Sequence, residues 1–408
     1  MIWKFAFRYI KAKKSAQAIN IISWVSMSAI AVGTTALIVV LSVFNGFEGL
    51  VKSLYSSFYP ELKVSPIYGK TMIVSPEQLD SLKAVPSIDG LSKSLEEKAL
   101  LRNGREKMIV ELKGVDSAFH KVTGVQSRII RGLFDLGTAQ KPKAVFGAGV
   151  ASILGIDAVS NPFPVTIYLP KANGRVMMMP QSAFYTGTIT PAGTFAIQQD
   201  FDNKYVLTNL GYLQSLMGKG RSEISAIELS LVPGADKEKV QKRVSSIFPS
   251  KKFKIETRYE QNRSLYLVMQ TEKWAVYAIL CFIFIIAAFN MIGALSMLVI
   301  EKRKDISILK AMGAGHKLIQ RIFLAEGLLV SFSGAAVGTV IALLVCLGQQ
   351  HFGWVKLGGG TFVINAYPVD MHWIDFVLVW VTILFVSLLA SWYPAIKAAK
   401  QPMNLKSE

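Results

Sequence analysis

The chain has 408 residues, 51% of them hydrophobic, and a formal net charge of +18. An apolar excess with that much basic charge argues against an ordinary soluble enzyme and fits a membrane protein with Lys and Arg in the flanks of its spans. The basic residues cluster beside apolar runs, which speaks against nucleic-acid binding, and Cys281 and Cys346 both lie inside such runs and cannot build a disulfide framework.

Residues 1–18 carry Lys4, Arg8, Lys11, Lys13 and Lys14 among Trp3, Phe5, Phe7 and Tyr9. They read equally as an interfacial helix and as an ordinary aromatic belt. The run from Ile19 to Phe44 is free of charge. A spanning helix needs about 20 mostly apolar residues, so the first span is expected over 19–47. No small-residue cleavage site follows it, and it reads as a retained anchor.

Residues 48–272 predict one or two compact domains of mixed strands and helices. Strands are expected at Met108–Leu112, Val165–Leu169, Ala226–Leu231 and Phe253–Thr257. Helices are expected at Pro76–Val85, Ala148–Leu154, Leu210–Met217 and, after a Pro-Gly turn, Ala235–Ile247. No catalytic or metal-binding constellation emerges. His120 is the only histidine of this region and reads as a surface residue, and HExxH, GxSxG and CxxC are all missing. Glu96–Glu97 and Asp200–Asp202 read as solvated faces or turns. One segment, PKANGRVMMMPQSAFYTGT, holds Met177, Met178, Met179, Pro180, Phe184 and Tyr185. It reads either as a strand buried on both faces or as a protruding hairpin whose soft methionine surface docks a partner.

Three further spans are expected over 273–300, 322–348 and 376–396. The stretch 301–321 between the second and third is charged. In it Ile306, Leu309 and Met312 follow a helical spacing, with Lys302, Arg303, Lys304, Asp305 and Lys310 around them. A short amphipathic helix pinned between two spans is a rigid lever for something on its own side of the membrane. That reading is preferred to a simple basic flank because the segment is short and helical. GxxxxGK[ST] occurs nowhere, so ATP hydrolysis by the P-loop route belongs to another chain. The loop 349–375 has Lys356 as its one cation, whereas the tail 397–408 carries Lys397, Lys400 and Lys406. This bias places both termini and 301–321 in the cytoplasm and 48–272 outside. In the third span Gly334 and Gly338 form GxxxG, which permits close helix approach, and Glu326 reads as a local partner of Arg321.

NIISWVSMSAIAVGTTALIVVLSVFNGFEG (20–49), NMIGALSMLVIEKRKDISILKAMGA and LLASWYPAIKAAKQP (388–402) resemble the first span, the second-span exit and the last span of lipoprotein-releasing ABC permeases of the LolC/LolE type. The wider superfamily, with FtsX and the macrolide exporter MacB, shares the coupling segment and the Tyr393-Pro394-Ala395 ending. LSVFNGFE is narrower and points to the lipoprotein branch. The resemblance spans the whole chain, strongly in the spans and loosely in the outer region.

The resemblance implies an α-helical membrane protein, with four transmembrane helices and a large α+β periplasmic domain inserted between helices 1 and 2. It implies a multi-pass, non-catalytic permease of the cell inner membrane, paired with an identical or homologous second permease above an ABC ATPase subunit dimer. Acylated lipoproteins would leave the membrane lipids for a central cavity between the first and second spans of the two permeases and pass to a periplasmic carrier. No cofactor is implied on this chain; ATP and Mg would sit on the ATPase. Lys302, Arg303, Lys304, Asp305, Ile306, Leu309, Met312 and Gly313 fall on the coupling helix. By position, Val40, Val43, Phe44, Val268, Met269 and Tyr277 would line a cavity suited to acyl chains. The carrier-docking hairpin falls on Lys171–Tyr185, although the Met-rich stretch departs from the family's pattern there. Two related alternatives are an FtsX-like signalling adaptor, which would activate a cell-wall hydrolase and transport nothing, and a MacB-like mechanotransmission permease.

Overall fold

A computed structural model of the chain describes residues 17–159, 163–171, 183–356 and 366–402. It divides into two compact units, one drawn from residues 1–50, 267–357 and 365–408 and the other from residues 51–266 and 358–364.

The first unit is a helix bundle. Four helices of the described chain are long and apolar enough to cross a membrane: Gln17–Phe58, Arg263–Glu301, His316–Phe352 and Trp373–Ala399. They are called here the first to fourth spans. Small residues bring the third span onto the first. A Cβ on Gly334 would stand 2.6 Å from the carbonyl oxygen of Met27, and one on Gly338 would strike the carbonyl of Ala31. Close backbone approach of this kind replaces the hydrophobic driving force that lipid does not supply. Thr35 adds a hydrogen bond across the same contact, its Oγ1 donating to the Gly338 carbonyl at 3.0 Å. The core beside it contains Leu37, Ile38, Phe284, Met291, Val379 and Ile383. The third span stops at Gly353, whose φ of +59° gives the left-handed cap that favours glycine.

The second unit is built on strands β1 (Leu62–Pro66), β2 (Met72–Ile73), β3 (Ile88–Asn103), β4 (Glu106–Val115), β5 (Ile129–Gly132), β6 (Lys143–Gly147), β7 (Val165–Pro170), β8 (Phe184–Phe195), β9 (Tyr205–Asn209), β10 (Glu223–Ile224), β11 (Ala226–Leu231) and β12 (Phe253–Thr257). Two long strands shape it. β3 pairs with β11 through Ile88–Ser94 and with β7 through Leu100–Arg102, and β8 pairs with β7 through its first half and with β6 through its second. As a result β3, β4, β9, β6, β8 and β7 pair in a closed circuit. Leu101, Leu112, Phe146, Ile167, Ile189 and Val206 fill one buried cluster. Each contributes about 1.5–3 kcal/mol by leaving water. β11, β1 and β12 extend the sheet from the first half of β3.

Local sequence signals set the element ends. Ser75 and Gln78 form a capping box before Pro76–Lys83, and Asp236 caps Lys237–Ile247. Gly104, with φ +58°, opens the two-residue turn between β3 and β4. The four expected strands lie within β4, β7, β11 and β12, and the four expected helices form as Pro76–Lys83, Ala148–Ile153, Leu210–Leu216 and Lys237–Ile247.

Asp200 is exposed as expected, but Glu96 and Asp202, also read as solvated, need correction. Glu96 accepts from Lys113 at 2.9 Å, and Lys113 also reaches the fully buried Glu228 at 2.7 Å. Ser94 donates to Glu228 at 2.7 Å, and Lys63 lies 3.7 Å from Glu96. Burial opposes the charge of Glu96, but Lys113 and Lys63 overcome it and hold the carboxyl below the usual carboxylate range. Burial likewise disfavours the ammonium of Lys113, and Glu228 and Glu96 reverse this and raise it above the usual lysine range. Asp202 is buried too. Its Oδ1 accepts from the Ile197 N–H at 2.9 Å, and burial pushes the carboxyl up to about 6.

Candidate functional site

The charged segment after the second span forms a separate helix, Arg303–Ala311. It stops because Gly313 takes φ +90°, and two hydrogen bonds lock the stop: the Ala314 N–H donates to the Leu309 carbonyl at 2.9 Å and the Gly313 N–H to the Lys310 carbonyl at 3.0 Å. This left-handed glycine cap is a Schellman motif, and it gives the expected site residue Gly313 a definite task.

The helix has two faces, divided differently from the expectation. Ile306 is 2% exposed and packs with Leu298, Val299, Ile319 and Phe323 of the second and third spans and with Ala395 and Ala398 of the fourth. It therefore does not face outward to seat in a partner, because the apolar face of a short amphipathic helix turns to the nearest apolar surface, here the spans. Leu309 is half-buried and lines a small pocket shared with Lys302, Ile306, Ile322, Phe323 and Glu326. Glu326 thus sits beside Lys302, whereas Arg321 is exposed. Lys310 turns back to the fourth span, donating to the carbonyl of Ala399 at 2.9 Å and to that of Gln401 at 2.5 Å. It neutralises the negative end of that helix. Lys302 pairs with Asp305 at 3.3 Å. The outward face presents Arg303, Lys304, Ile308 and Met312, with Ile308 54% and Met312 71% exposed. Ile308 was missed in the sequence; the signal was an isoleucine two positions from Ile306, hence on the opposite side of the helix.

A polar cluster joins the spans at the other end of the bundle. Asn45 is 4% exposed. Its Nδ2 donates to Asp375 Oδ2 at 2.5 Å and to the Asp370 carbonyl at 3.3 Å, and its Oδ1 accepts from Lys273 Nζ at 2.7 Å. Lys273 lies 3.8 Å from Asp375. The backbone N–H of Asp370 donates to the Ser42 carbonyl at 2.9 Å. Gly46 makes room for this segment, since a Cβ there would collide with the Pro368 carbonyl and stand 2.8 Å from the Val369 nitrogen. Asn45 and Gly46 of LSVFNGFE therefore have separate physical reasons, one a hydrogen-bonding hub and the other a close approach.

The expected cavity residues are only partly brought together. Phe44 and Met269 line one small cleft with Phe47, Glu48, Glu272 and Lys273. Val40 and Val43 are half-buried on the first span, and Val268 is 55% exposed. Tyr277 turns to the fourth span, where its hydroxyl bonds Thr382 at 2.5 Å. On the expected docking hairpin, Phe184 and Tyr185 begin β8 and pair with Pro170 and Leu169 of β7. Lys171 lies 5.0 Å from the Tyr185 ring. Met177, Met178, Met179 and Pro180 lie outside the described residues.

Two family models match the chain: the MacB-like periplasmic core domain over residues 23–247 and the FtsX-like permease C-terminal region over residues 277–403. The chain is similar to the lipoprotein-releasing system transmembrane protein LolE of Haemophilus influenzae, at 26% identity over 98% of each chain. It is also similar to the lipoprotein-releasing system transmembrane protein LolC of Neisseria meningitidis serogroup B, at 26% identity over 96% of this chain and 95% of the relative. Among solved structures, the periplasmic region of MacB from Actinobacillus actinomycetemcomitans aligns with 53% of this chain and 98% of its own at 12% identity, with a TM-score of 0.36.

Proposed function

We infer the function from one premise: the chain belongs to the family that carries the MacB-like periplasmic core domain. It is the permease subunit of an ABC transporter that extracts lipoproteins from the outer leaflet of the inner membrane and hands them to a periplasmic carrier. The observation that carries this reading is similarity to a lipoprotein-releasing permease over 98% of both chains. A match confined to the superfamily's shared C-terminal region would not separate release from signalling.

The physics of the cargo asks for such a machine. Pulling an acyl chain from a bilayer costs about 0.8 kcal/mol per CH₂, so a triacylated protein is held by on the order of tens of kcal/mol. Spontaneous release is negligible, and the work comes from ATP on a separate subunit pair. In this reading the termini and Arg303–Ala311 lie in the cytoplasm, and the domain between the first and second spans lies in the periplasm. The outward face of Arg303–Ala311 takes the push of the ATPase. Ile306, packed on the spans, and Lys310, bound to the end of the fourth span, pass it on. A second permease, identical or homologous, completes the cavity. A photo-crosslinker at Phe44 tests the assignment in membranes. Capture of an acylated protein during ATP turnover supports it, and capture of phospholipid alone in an active complex contradicts it.

A further inference from the structure

We propose that Lys273, through Asn45 and Asp375, is a positioning residue that holds Phe44 of the first span and Met269 of the second at the spacing an acyl chain needs. The inference deepens the proposed function and rests on it for the identity of the ligand.

The geometry carries the argument. Asn45 comes from the first span, Lys273 from the second and Asp375 from the start of the fourth. The Asn45 amide uses both ends, accepting from Lys273 at 2.7 Å and donating to Asp375 at 2.5 Å. An amide meets both demands with separate atoms, its oxygen accepting from the ammonium while its NH₂ donates to the carboxylate. Aspartate at this position would face Asp375 with like charge, and alanine would leave Asp375, which is 8% exposed, without its closest donor. Phe44 precedes Asn45 in the chain, and Met269 stands one helical turn before Lys273; both line the same cleft. The polar cluster therefore fixes two apolar residues on adjoining helices that have no polar group of their own to set their register.

The bundle has other close contacts besides this cluster. The third span is seated on the first through Gly334 and Gly338, and its Gly327 lies against Ser391 of the fourth. A polar clasp added to packing that already holds is suited to placing side chains.

The test uses the whole complex with its ATPase in lipid nanodiscs and a purified triacylated lipoprotein as probe, read by lipoprotein-stimulated ATP hydrolysis. Lys273→Met and Asn45→Ala should each raise the half-saturating lipoprotein concentration about tenfold, the size of a lost charge-assisted hydrogen bond, with the maximal rate little changed. Exchanging the charges, Lys273→Glu with Asp375→Lys, should recover most of the loss, because the Asn45 amide can turn over and present its other end. An unchanged half-saturation overturns the proposal. So does a fall in maximal rate that tracks lower thermal stability and is not rescued by the exchange. A second measurement does not depend on the ligand. With Cys281 and Cys346 replaced by alanine, Phe44→Cys and Met269→Cys should be joined by a short thiol cross-linker, and Asn45→Ala should lower the yield severalfold. An equal yield with and without Asn45 overturns the positioning role. Absence of any lipoprotein stimulation in the unaltered complex, with the cross-linking difference intact, would instead count against lipoprotein release.

Discussion

Replacing Ile306 and Ile308 separately tests how the coupling helix is divided. Ile306 is 2% exposed in a cluster fed by the second, third and fourth spans. Truncating a buried isoleucine to alanine costs about 2–5 kcal/mol through lost transfer energy and the cavity left behind. Ile306→Ala should therefore lower the melting temperature of the purified permease in detergent by several degrees. Ile308 is 54% exposed, so a partner groove that covers it removes about half a side chain from water, worth roughly 1 kcal/mol of the 1.5–3 kcal/mol for full burial. Ile308→Ala should leave the melting temperature unchanged and weaken ATPase binding about fivefold. Ile308→Asp, which would bury a charge in that groove, should abolish binding. Affinity of the labelled ATPase for each detergent-solubilised variant, beside its thermal melt, separates the two residues. If Ile306→Ala spares the melt and weakens ATPase binding, while Ile308→Asp does neither, the faces have been assigned the wrong way round.

Other outcomes follow from the packing and the charges. Gly334→Leu has no room beside the Met27 carbonyl and should lower stability by about 1–3 kcal/mol or more, seen as poor recovery from membranes and an earlier melt. Lys113→Met leaves Glu228 buried without its cation and should cost about 3–5 kcal/mol in a denaturant melt of the full chain; adding Glu228→Leu should restore part of it. The Asp202 carboxyl is pushed up to about 6 by burial, so the native state binds its proton more tightly than the unfolded chain. The penalty is then full above that value and is relieved as pH falls through it toward the ordinary aspartate range. Asp202→Asn, whose Oδ1 still accepts from Ile197, should raise the melting temperature at about pH 7.5 and by less at about pH 5.

Features carried by contiguous residues were legible in the sequence. The four long helices show as unbroken apolar runs, and the helix start at Pro76 was expected where it forms, whereas the helix expected from Ala235 begins two residues later at Lys237, where Asp236 caps it. Features made by distant residues were not. Lys113, Glu228 and Glu96 lie on three strands that neighbour one another only after β3 pairs with β4 and β11, so Glu96 looks like one more surface carboxylate in isolation. The closed circuit depends on β3 and β8 each dividing between partners, and strand periodicity cannot reveal that. LSVFNGFE was visible as a motif, but Asp375 and Pro368, which explain its Asn45 and Gly46, lie more than three hundred residues away. On the short helix Arg303–Ala311 the period was right and Met312 faces outward as expected, but Ile306 turns to the spans, because nothing in the local sequence says whether the spans or a partner will cover it.

The function proposed for this permease is release of an acylated protein from the membrane, driven by ATP hydrolysis on a partner. Its most direct test reconstitutes the chain with its ATPase and companion permease in liposomes that carry a labelled triacylated lipoprotein, with the soluble carrier outside. Carrier-bound lipoprotein should accumulate in the supernatant with ATP and fail to accumulate with a non-hydrolysable analogue. Vigorous ATP hydrolysis with all of the lipoprotein still in the liposomes would contradict it.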